Sequence, residues 1–542
     1  MVYCDYTASG RCLRFIENYL MRLQRVYANT HTEDDITGRN MSHLLREAEK
    51  IIKQSVNAGP GGKIIAQGYG STAAIDKLQQ IIGVRFPPRT RQLVLSILAD
   101  ICTRDPESLH KELMNRSPCV FLGGYEHHSN ELTWLEGFSR VVKIGLNEEG
   151  SVDLDELDVQ LKKYAGKNRI LIGSFSAASN VTGILSPVHK IASMIHRYGG
   201  IACFDYAACA PYVTINMNPP GEDGEDPSLD AVFISPHKFI GGPGSSGVLV
   251  FNERIYSRNL PPSLSGGGTV DYVGYDYHDY IQDIEEREKA GTPGVLQTMK
   301  GALAFMVKDS LSPRVIHERE SEFLNKAFGK WKKNPNIKIL GNPDPEKRIA
   351  IVSFVIKDPW GTSLHPKFIT VLLNDLFGIQ SRAGCSCAGP YGHMLLNISA
   401  EDSGKYRDCI RRGFSGMKPG WCRVGFHYAM DDNETEYVVQ AVDFLGSYGY
   451  RFLPLYSFDC RTGMWAFRGW TEPHEEFTLE NAVREDQDSP GSLPRDVRKR
   501  LYDSYMKEAY SIIKDSDEAE LKTMLKHLEA DVKGLQFFPF MH

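Results

Sequence analysis

From about residue 60 to residue 300 the chain alternates short apolar runs with segments whose apolar residues fall at helical spacing. No other feature constrains the fold as strongly, because a repeated strand–helix–strand pattern builds a parallel sheet covered by helices. One unit shows the logic. The apolar run from Ile170 to Phe175 has strand length and is followed by a polar loop through Asn180. Pro187 stands where the first turn of a helix tolerates it, and Val188, Ile191, Ala192 and Ile195 share one helical face. Gly199 and Gly200 end that helix, and the next strand runs from Ile201 to Asp205. A further strand, from Ala231 to Ser235, leads into His237 and Lys238.

A chain of 542 residues exceeds one ordinary core and divides into lobes. Past residue 310 the pattern changes. The stretch from Arg348 to Val355 is β-rich, and Phe368, Val371, Leu372 and Leu376 mark a helix face. The stretch from Trp421 to Tyr428 reads as a strand, and that from Thr435 to Leu445 as a helix. The predicted organisation is α/β: a large domain over residues 31–309 with a mostly parallel sheet, and a smaller α+β domain over 310–470. Residues 1–30 are expected to pack with the smaller domain, and 471–542 to form a linker and helical tail. Within that tail, the polar stretch from Glu480 to Pro494 reads as linker. Leu521, Met524, Leu525, Leu528, Val532 and Leu535 form an apolar stripe suited to docking on the same chain or a partner subunit.

Composition narrows the function classes. A net charge of −6 gives no reason to expect nucleic acid or an anionic membrane as partner. No apolar run is long enough to span a bilayer, and Met1 to Gly10 lacks the basic and apolar regions of a secretory signal. Eleven cysteines, an odd number without framework spacing, fit reduced thiols. The expectation is a cytoplasmic enzyme.

The candidate site residues occur in order along the alternating region. Gln67-Gly68-Tyr69-Gly70-Ser71-Thr72 lies between an apolar strand and a helix, a turn whose backbone and hydroxyls can cradle a phosphate. His127, in Glu126-His127-His128-Ser129-Asn130, can lay an imidazole on a flat ring. Asn180 can donate to a ring oxygen. Asp205 ends a strand, where open α/β sheets bind ligands, and its carboxylate can pair with a protonated ring nitrogen. Lys238, in Ser235-Pro236-His237-Lys238 before Gly241-Gly242-Pro243-Gly244, puts an amine on a tight turn. Together these supply what a pyridoxal 5′-phosphate site requires: an imine-forming amine, an anion for the pyridinium, a phosphate cradle and a stacking group. Taken singly, a glycine turn, a histidine pair or a lysine after a strand is more often structural; the ordered set is not.

The set Gly70-Ser71-Thr72, Glu126 to Asn130, Asn180, Asp205, Ser235-x-His237-Lys238 and Gly291-Thr292-Pro293 resembles the class V aminotransferase family, and more narrowly its cysteine desulfurase and selenocysteine lyase branch. The resemblance covers roughly residues 1–470. It implies the type I fold of pyridoxal-phosphate-dependent transferases, with Lys238 attaching the cofactor and His127 stacking on it. By the same likeness Asn180 and Asp205 contact the ring, and Thr72, Ser235 and His237 bind phosphate beside Ser71. Thr292 would reach the phosphate of a neighbouring subunit, which implies a homodimer. One departure stands out. Where the family commonly places a glutamine that bonds the ring oxygen, this chain has Ala208.

Arg382-Ala383-Gly384-Cys385-Ser386-Cys387-Ala388 resembles the desulfurase segment that carries the persulfide-forming cysteine, matched here by Cys387. Trp421-Cys422-Arg423 resembles the segment whose arginine clamps the substrate carboxylate, a role suited to a planar bidentate donor. Arg382 is a second substrate-binding candidate and, close by, would favour a thiolate. The implied activity is carbon–sulfur cleavage of cysteine or a related sulfur amino acid, with a sulfur-acceptor protein as a further partner. A lyase acting on a larger thio-substrate and an aminotransferase remain open as alternatives. A non-catalytic sulfur-transfer scaffold would not need Lys238, Asp205 and Arg423 together. Cys385, Cys387 and His393 fall short of a metal site for want of a fourth ligand, so no metal is expected. Cys385 has no counterpart in the family; resolving a persulfide and inertness both stay open for it.

Overall fold

The computed structural model describes all residues except 31, 33, 103–104, 167–168, 223, 470–492, 515, 517, 526–527, 529–533 and 542. The alternating region forms one seven-stranded sheet. Its spatial order is Gly62–Gln67, Gly247–Asn252, Ala231–Ile234, Ile201–Asp205, Leu171–Ser176, Cys119–Leu122 and Arg140–Lys143. The strand Gly247–Asn252 runs antiparallel to both neighbours, and the other pairings are parallel. Both faces are covered. Val120, Leu122, Ile172 and Phe233 belong to one apolar cluster, and Phe121, Phe175, Phe204 and Val232 to another. This two-sided burial explains why the strands read as continuous apolar runs rather than alternating ones.

The parallel register sets Ser176 beside Asp205, and Asp205 beside Phe233. The carboxyl ends of three adjacent strands therefore open at one edge of the sheet, directly before Ser235. The helix Gly70–Ile81 starts at that edge. The helix Val188–Arg197 follows the predicted unit, with Ile191, Ala192 and Ile195 buried.

The second lobe is a four-stranded antiparallel sheet in the order Ile337–Ile339, Ile351–Ile356, Trp421–Gly425 and Arg382–Gly384. Helices Pro313–Trp331, Pro366–Phe377 and Asp432–Tyr448 build its core. The last of these starts with a capping box, Asp431 accepting from the Glu434 N–H and Glu434 returning to the Asp431 N–H.

The N-terminal segment divides between the lobes, which corrects the expectation that all of residues 1–30 pack with the smaller one. Val2–Tyr3 pairs in parallel with Ile379–Gln380, and Val2 and Cys4 join the smaller lobe's core. The helix Arg14–Gln24 instead buries Ile16 and Leu20 in the large lobe. An amphipathic helix goes where its apolar face finds cover, and here that cover includes the helix Val295–Leu311.

At the other end, the helix Arg495–Ile512 lies on the smaller lobe. Tyr502 stacks on Tyr437 at 4.3 Å, Ala509 is buried, and Arg498 bonds Asp431 and Glu434. Of the predicted apolar stripe, Leu521, Leu525, Leu528 and Leu535 reach that same core, although the helix there ends at Met524. Val532 and most of the expected linker lie outside the described residues. Among the described residues no helix is long and apolar enough to cross a membrane.

Candidate active site at the strand ends

A cavity of about 310 Å³ opens at the strand ends, between the two lobes. It brings together Ser71, Thr72, His127, Asn180, Asp205, Ser235, His237, Lys238, Arg382, Cys387 and Arg423. Of the predicted site residues, only Thr292 lies elsewhere: it is exposed and accepts a 3.4 Å hydrogen bond from Asn29. Ala208 also lines the cavity, and its side chain offers no donor.

One end of the cavity is backbone. Gly68 and Gly70 have φ of +55° and +60°, a conformation that favours glycine. A Cβ on Gly70 would fall 2.8 Å from Ser235 Oγ and 3.3 Å from His237 Nε2. The Ser71 N–H donates to Ser235 Oγ at 2.8 Å, and the Thr72 and Ser129 hydroxyls meet at 2.7 Å. A helix N-terminus, hydroxyls and an imidazole thus face one small volume, the donor set that suits a phosphate. Burial, aided by Lys238, pushes His237 down to about 4 and leaves its ring neutral near pH 7.

His127 comes from the loop after the strand Cys119–Leu122. Its Nδ1 accepts from the Ser129 N–H at 3.1 Å, so in the neutral ring the proton sits on Nε2. Burial, then the positive charge of Lys238, pushes this ring too down to about 4. The loop is anchored by Glu126. Its Oε1 accepts from the Gly123 and Ser176 N–H groups, and its Oε2 from Asn130 Nδ2 and the Ser176 hydroxyl. Four donors from two segments hold the imidazole over the strand ends.

Asp205 and Lys238 face the middle of the cavity. Asp205 Oδ1 accepts from the Ala207 N–H at 2.9 Å, and burial raises the pKa of its carboxyl. A cation against it would reverse that shift. The Lys238 Nζ has no hydrogen-bond partner among the described residues, and burial lowers its pKa, which favours the neutral, nucleophilic amine. Asn180 donates through Nδ2 to the Ser386 carbonyl at 2.7 Å, so part of its predicted donor capacity holds the cysteine loop instead. Its Oδ1 is buried without a partner among the described residues.

The far wall belongs to the smaller lobe. Arg382 and Arg423 are opposite one another on neighbouring strands. Arg423 is buried; one terminal nitrogen donates to the Asn180 carbonyl at 2.8 Å, and the other lies 3.2 Å from Asp5 Oδ1. Arg382 pairs with Asp5 Oδ2 at 2.9 Å. Burial lowers the Arg423 pKa, and Asp5 opposes that shift. Asp5, which pairs with both arginines, is absent from the candidates read in the sequence. Its only local signal is an acid among the apolar and aromatic residues of Val2-Tyr3-Cys4-Asp5-Tyr6, and no spacing rule links it to Arg423, 418 positions away.

Cys387 is exposed to the cavity on the turn from Cys385 to Ala388, closed by an Ala388 N–H to Cys385 carbonyl bond of 3.0 Å. Both central residues, Ser386 and Cys387, have positive φ, +49° and +55°. Such conformations in non-glycine residues are strained and persist where surroundings impose them. Here the large lobe does so: the His128 N–H donates to the Cys387 carbonyl, the Gly389 N–H donates to His128 Nε2, and Asn180 holds Ser386.

The fold, with a lysine-bearing cavity at the ends of parallel strands, is that of the type I pyridoxal-phosphate-dependent enzymes. It superposes on the cysteine desulfurase of Thermococcus onnurineus NA1 with a TM-score of 0.63 at 19% identity, over 82% of this chain and 94% of that one. The family model of class-V aminotransferases matches residues 106–438, and the chain belongs to that family, whose cofactor is pyridoxal phosphate. Among curated relatives, a probable cysteine desulfurase 2 of Mycobacterium leprae (strain TN) is 28% identical over 279 residues, 51% of this chain and 61% of that protein. A probable cysteine desulfurase of Streptomyces coelicolor is 28% identical over 395 residues, 72% of this chain and 84% of that protein. The match to the Mycobacterium protein thus spans less than two thirds of the relative's length.

Proposed function

We propose that this chain is a pyridoxal-phosphate-dependent enzyme that cleaves the carbon–sulfur bond of cysteine or a related sulfur amino acid, leaving the sulfur as a persulfide on Cys387. The observation that carries the reading is the convergence of Cys387, Lys238 and Arg423 on one cavity from three distant segments. The similarity to proteins named as cysteine desulfurases supports it.

The residues present fit the cofactor. A buried carboxylate with a raised pKa, a side-chain amine and an amide oxygen with no hydrogen-bond partner among the described residues, and a backbone cradle too tight for a Cβ are each accounted for by it. Lys238 would attach it covalently, Asp205 would hold its ring nitrogen and His127 would cover its face. Ser71, Thr72, Ser235 and His237 would bind its phosphate, together with Thr292 of a second subunit. When bound, pyridoxal phosphate supplies an electron sink for negative charge on the substrate's α-carbon.

The chain's own groups do the rest. Arg423 binds the substrate carboxylate, with Arg382 beside it. Lys238, kept towards its neutral form by burial, accepts and returns a proton at the substrate carbon. The Cys387 thiolate takes the substrate sulfur, forming a sulfur–sulfur bond while the carbon–sulfur pair stays with carbon. The test is Cys387→Ser. It retains the cofactor and binds cysteine, yet fails to release alanine, and mass spectrometry of the wild type after cysteine treatment finds one added sulfur on the Cys387 peptide. Alanine release by the serine variant at the wild-type rate overturns the persulfide mechanism in favour of thiol-independent elimination.

A further inference from the structure

The turn that carries Cys387 is a partition. Behind it lies a second cavity of about 360 Å³, and Cys385 faces that one. Two thiols of a single turn thus open into different spaces. Leu396, Ile398, Tyr406, Ile410 and Trp421 make the second cavity's walls apolar. The Trp421 Nε1–H is buried without a partner among the described residues. Arg407, Arg411 and Lys418 stand at its edge, exposed, and none is paired with a carboxylate among the described residues. A volume of this size matches sites for small ligands rather than for a protein face. The unbalanced cations select an anion, and the walls select an apolar body.

We propose that this cavity binds a low-molecular-weight sulfur acceptor, an anionic thiol with an aromatic or branched aliphatic body, and that Cys385 relays sulfur to it from Cys387. The inference rests on the persulfide reading above. In the first exchange the Cys385 thiolate attacks the terminal sulfur of the Cys387 persulfide. A bond forms from Cys385 Sγ to that sulfur, the bond to Cys387 Sγ breaks, and Cys387 leaves as a thiolate. In the second exchange the acceptor thiolate does the same at Cys385. Each exchange makes one sulfur–sulfur bond and breaks one, so no oxidant or reductant is consumed. The Cα atoms of residues 385 and 387 lie within about 7 Å in any conformation. The turn between them is held in left-handed geometry at two non-glycine positions, so rotating it releases strain.

The experiment uses the full-length holoenzyme with cysteine as donor and 4-mercaptophenylacetate as acceptor probe. Steady-state alanine release saturates with the probe, and Arg407→Glu with Arg411→Glu raises the half-saturating concentration at least tenfold. The same pair leaves the response to the methyl ester, which lacks the carboxylate, unchanged. Cys385→Ser keeps the first turnover of alanine but loses stimulation by the probe, its sulfur remaining on the Cys387 peptide. Calorimetric binding of the unreactive 4-hydroxyphenylacetate weakens in the arginine variant by the same factor, a readout independent of turnover. Equal half-saturation in wild type and variant, unweakened calorimetric binding, or probe-stimulated turnover in Cys385→Ser overturns the proposal. Stimulation only by an acidic cysteine-bearing peptide also overturns it. Absence of a first alanine turnover in the wild type, with calorimetric binding intact, overturns the persulfide reading and the relay while leaving the ligand site standing.

Discussion

Neutralising Asp5 separates competition from positioning at the substrate arginine. Asp5 Oδ1 lies 3.2 Å from the Arg423 guanidinium, and the two side chains are only 13% and 5% exposed. At that distance and an effective dielectric of about 20, the charge–charge attraction is about 5 kcal/mol. Lost hydration offsets much of it, and hydrogen bonds between charged groups retain about 1.5–3 kcal/mol. Arg382 is 51% exposed, so its pairing with Asp5 is screened and adds little. A substrate carboxylate approaching Arg423 meets a charge already compensated. In Asp5→Asn the acceptor oxygen stays and the charge goes, so about 2 kcal/mol becomes available to the substrate, equivalent to about thirtyfold tighter binding. The assay is a titration of Cys387→Ser holoenzyme with cysteine, with and without Asp5→Asn, followed by the cofactor's absorbance. The gain persists at high salt, because a buried pair is weakly screened. An unchanged or weakened Kd refutes the reasoning and makes Asp5 a residue that orients Arg423 rather than one that competes for it.

Lys238→Ala abolishes covalent cofactor attachment; borohydride reduction and peptide mapping of the wild type find the label on the Lys238 peptide, and a label on another lysine sinks the assignment. Asp205→Asn keeps the cofactor bound but lowers turnover by orders of magnitude, because an amide does not hold a protonated ring nitrogen; near-normal turnover shows that another group does so. Glu320 gives a pH prediction. Burial pushes its carboxyl up to about 8, whereas in the unfolded chain it titrates at about 4.3. The folded state therefore binds the extra proton between those values. Stability is fully present below about pH 4.3 and falls, by up to about 1.4 kcal/mol per pH unit, until about pH 8. Glu320→Gln removes that slope, so its urea midpoint gains on the wild type at pH 8.5 relative to pH 5, and an equal difference at both pH values refutes the assignment.

Much of this architecture was legible along the chain. The run from Leu171 to Ser176, the helix Val188–Arg197 and the strand Ile201–Asp205 follow the apolar pattern to within a residue or two of the expected bounds. The glycine turn at Gly68 and Gly70 and the Ser235 to Lys238 turn were readable for the same reason: each depends on neighbours a few positions away. The helix Arg14–Gln24 was not placed correctly, because an amphipathic face states that it needs cover and not which lobe supplies it.

By itself, then, the sequence determined the alternating sheet, its turns and the residue types lining its open edge, since backbone geometry and side-chain period are local properties. Tertiary structure alone decided that Asp5 closes on Arg423, that Asn180 spends a donor on Ser386, and that Cys385 and Cys387 face different cavities. Those contacts join positions two hundred to four hundred residues apart, or turn on which wall of a loop packs against which lobe. They follow from how two cores bury their surfaces against each other, a condition no short stretch of chain encodes.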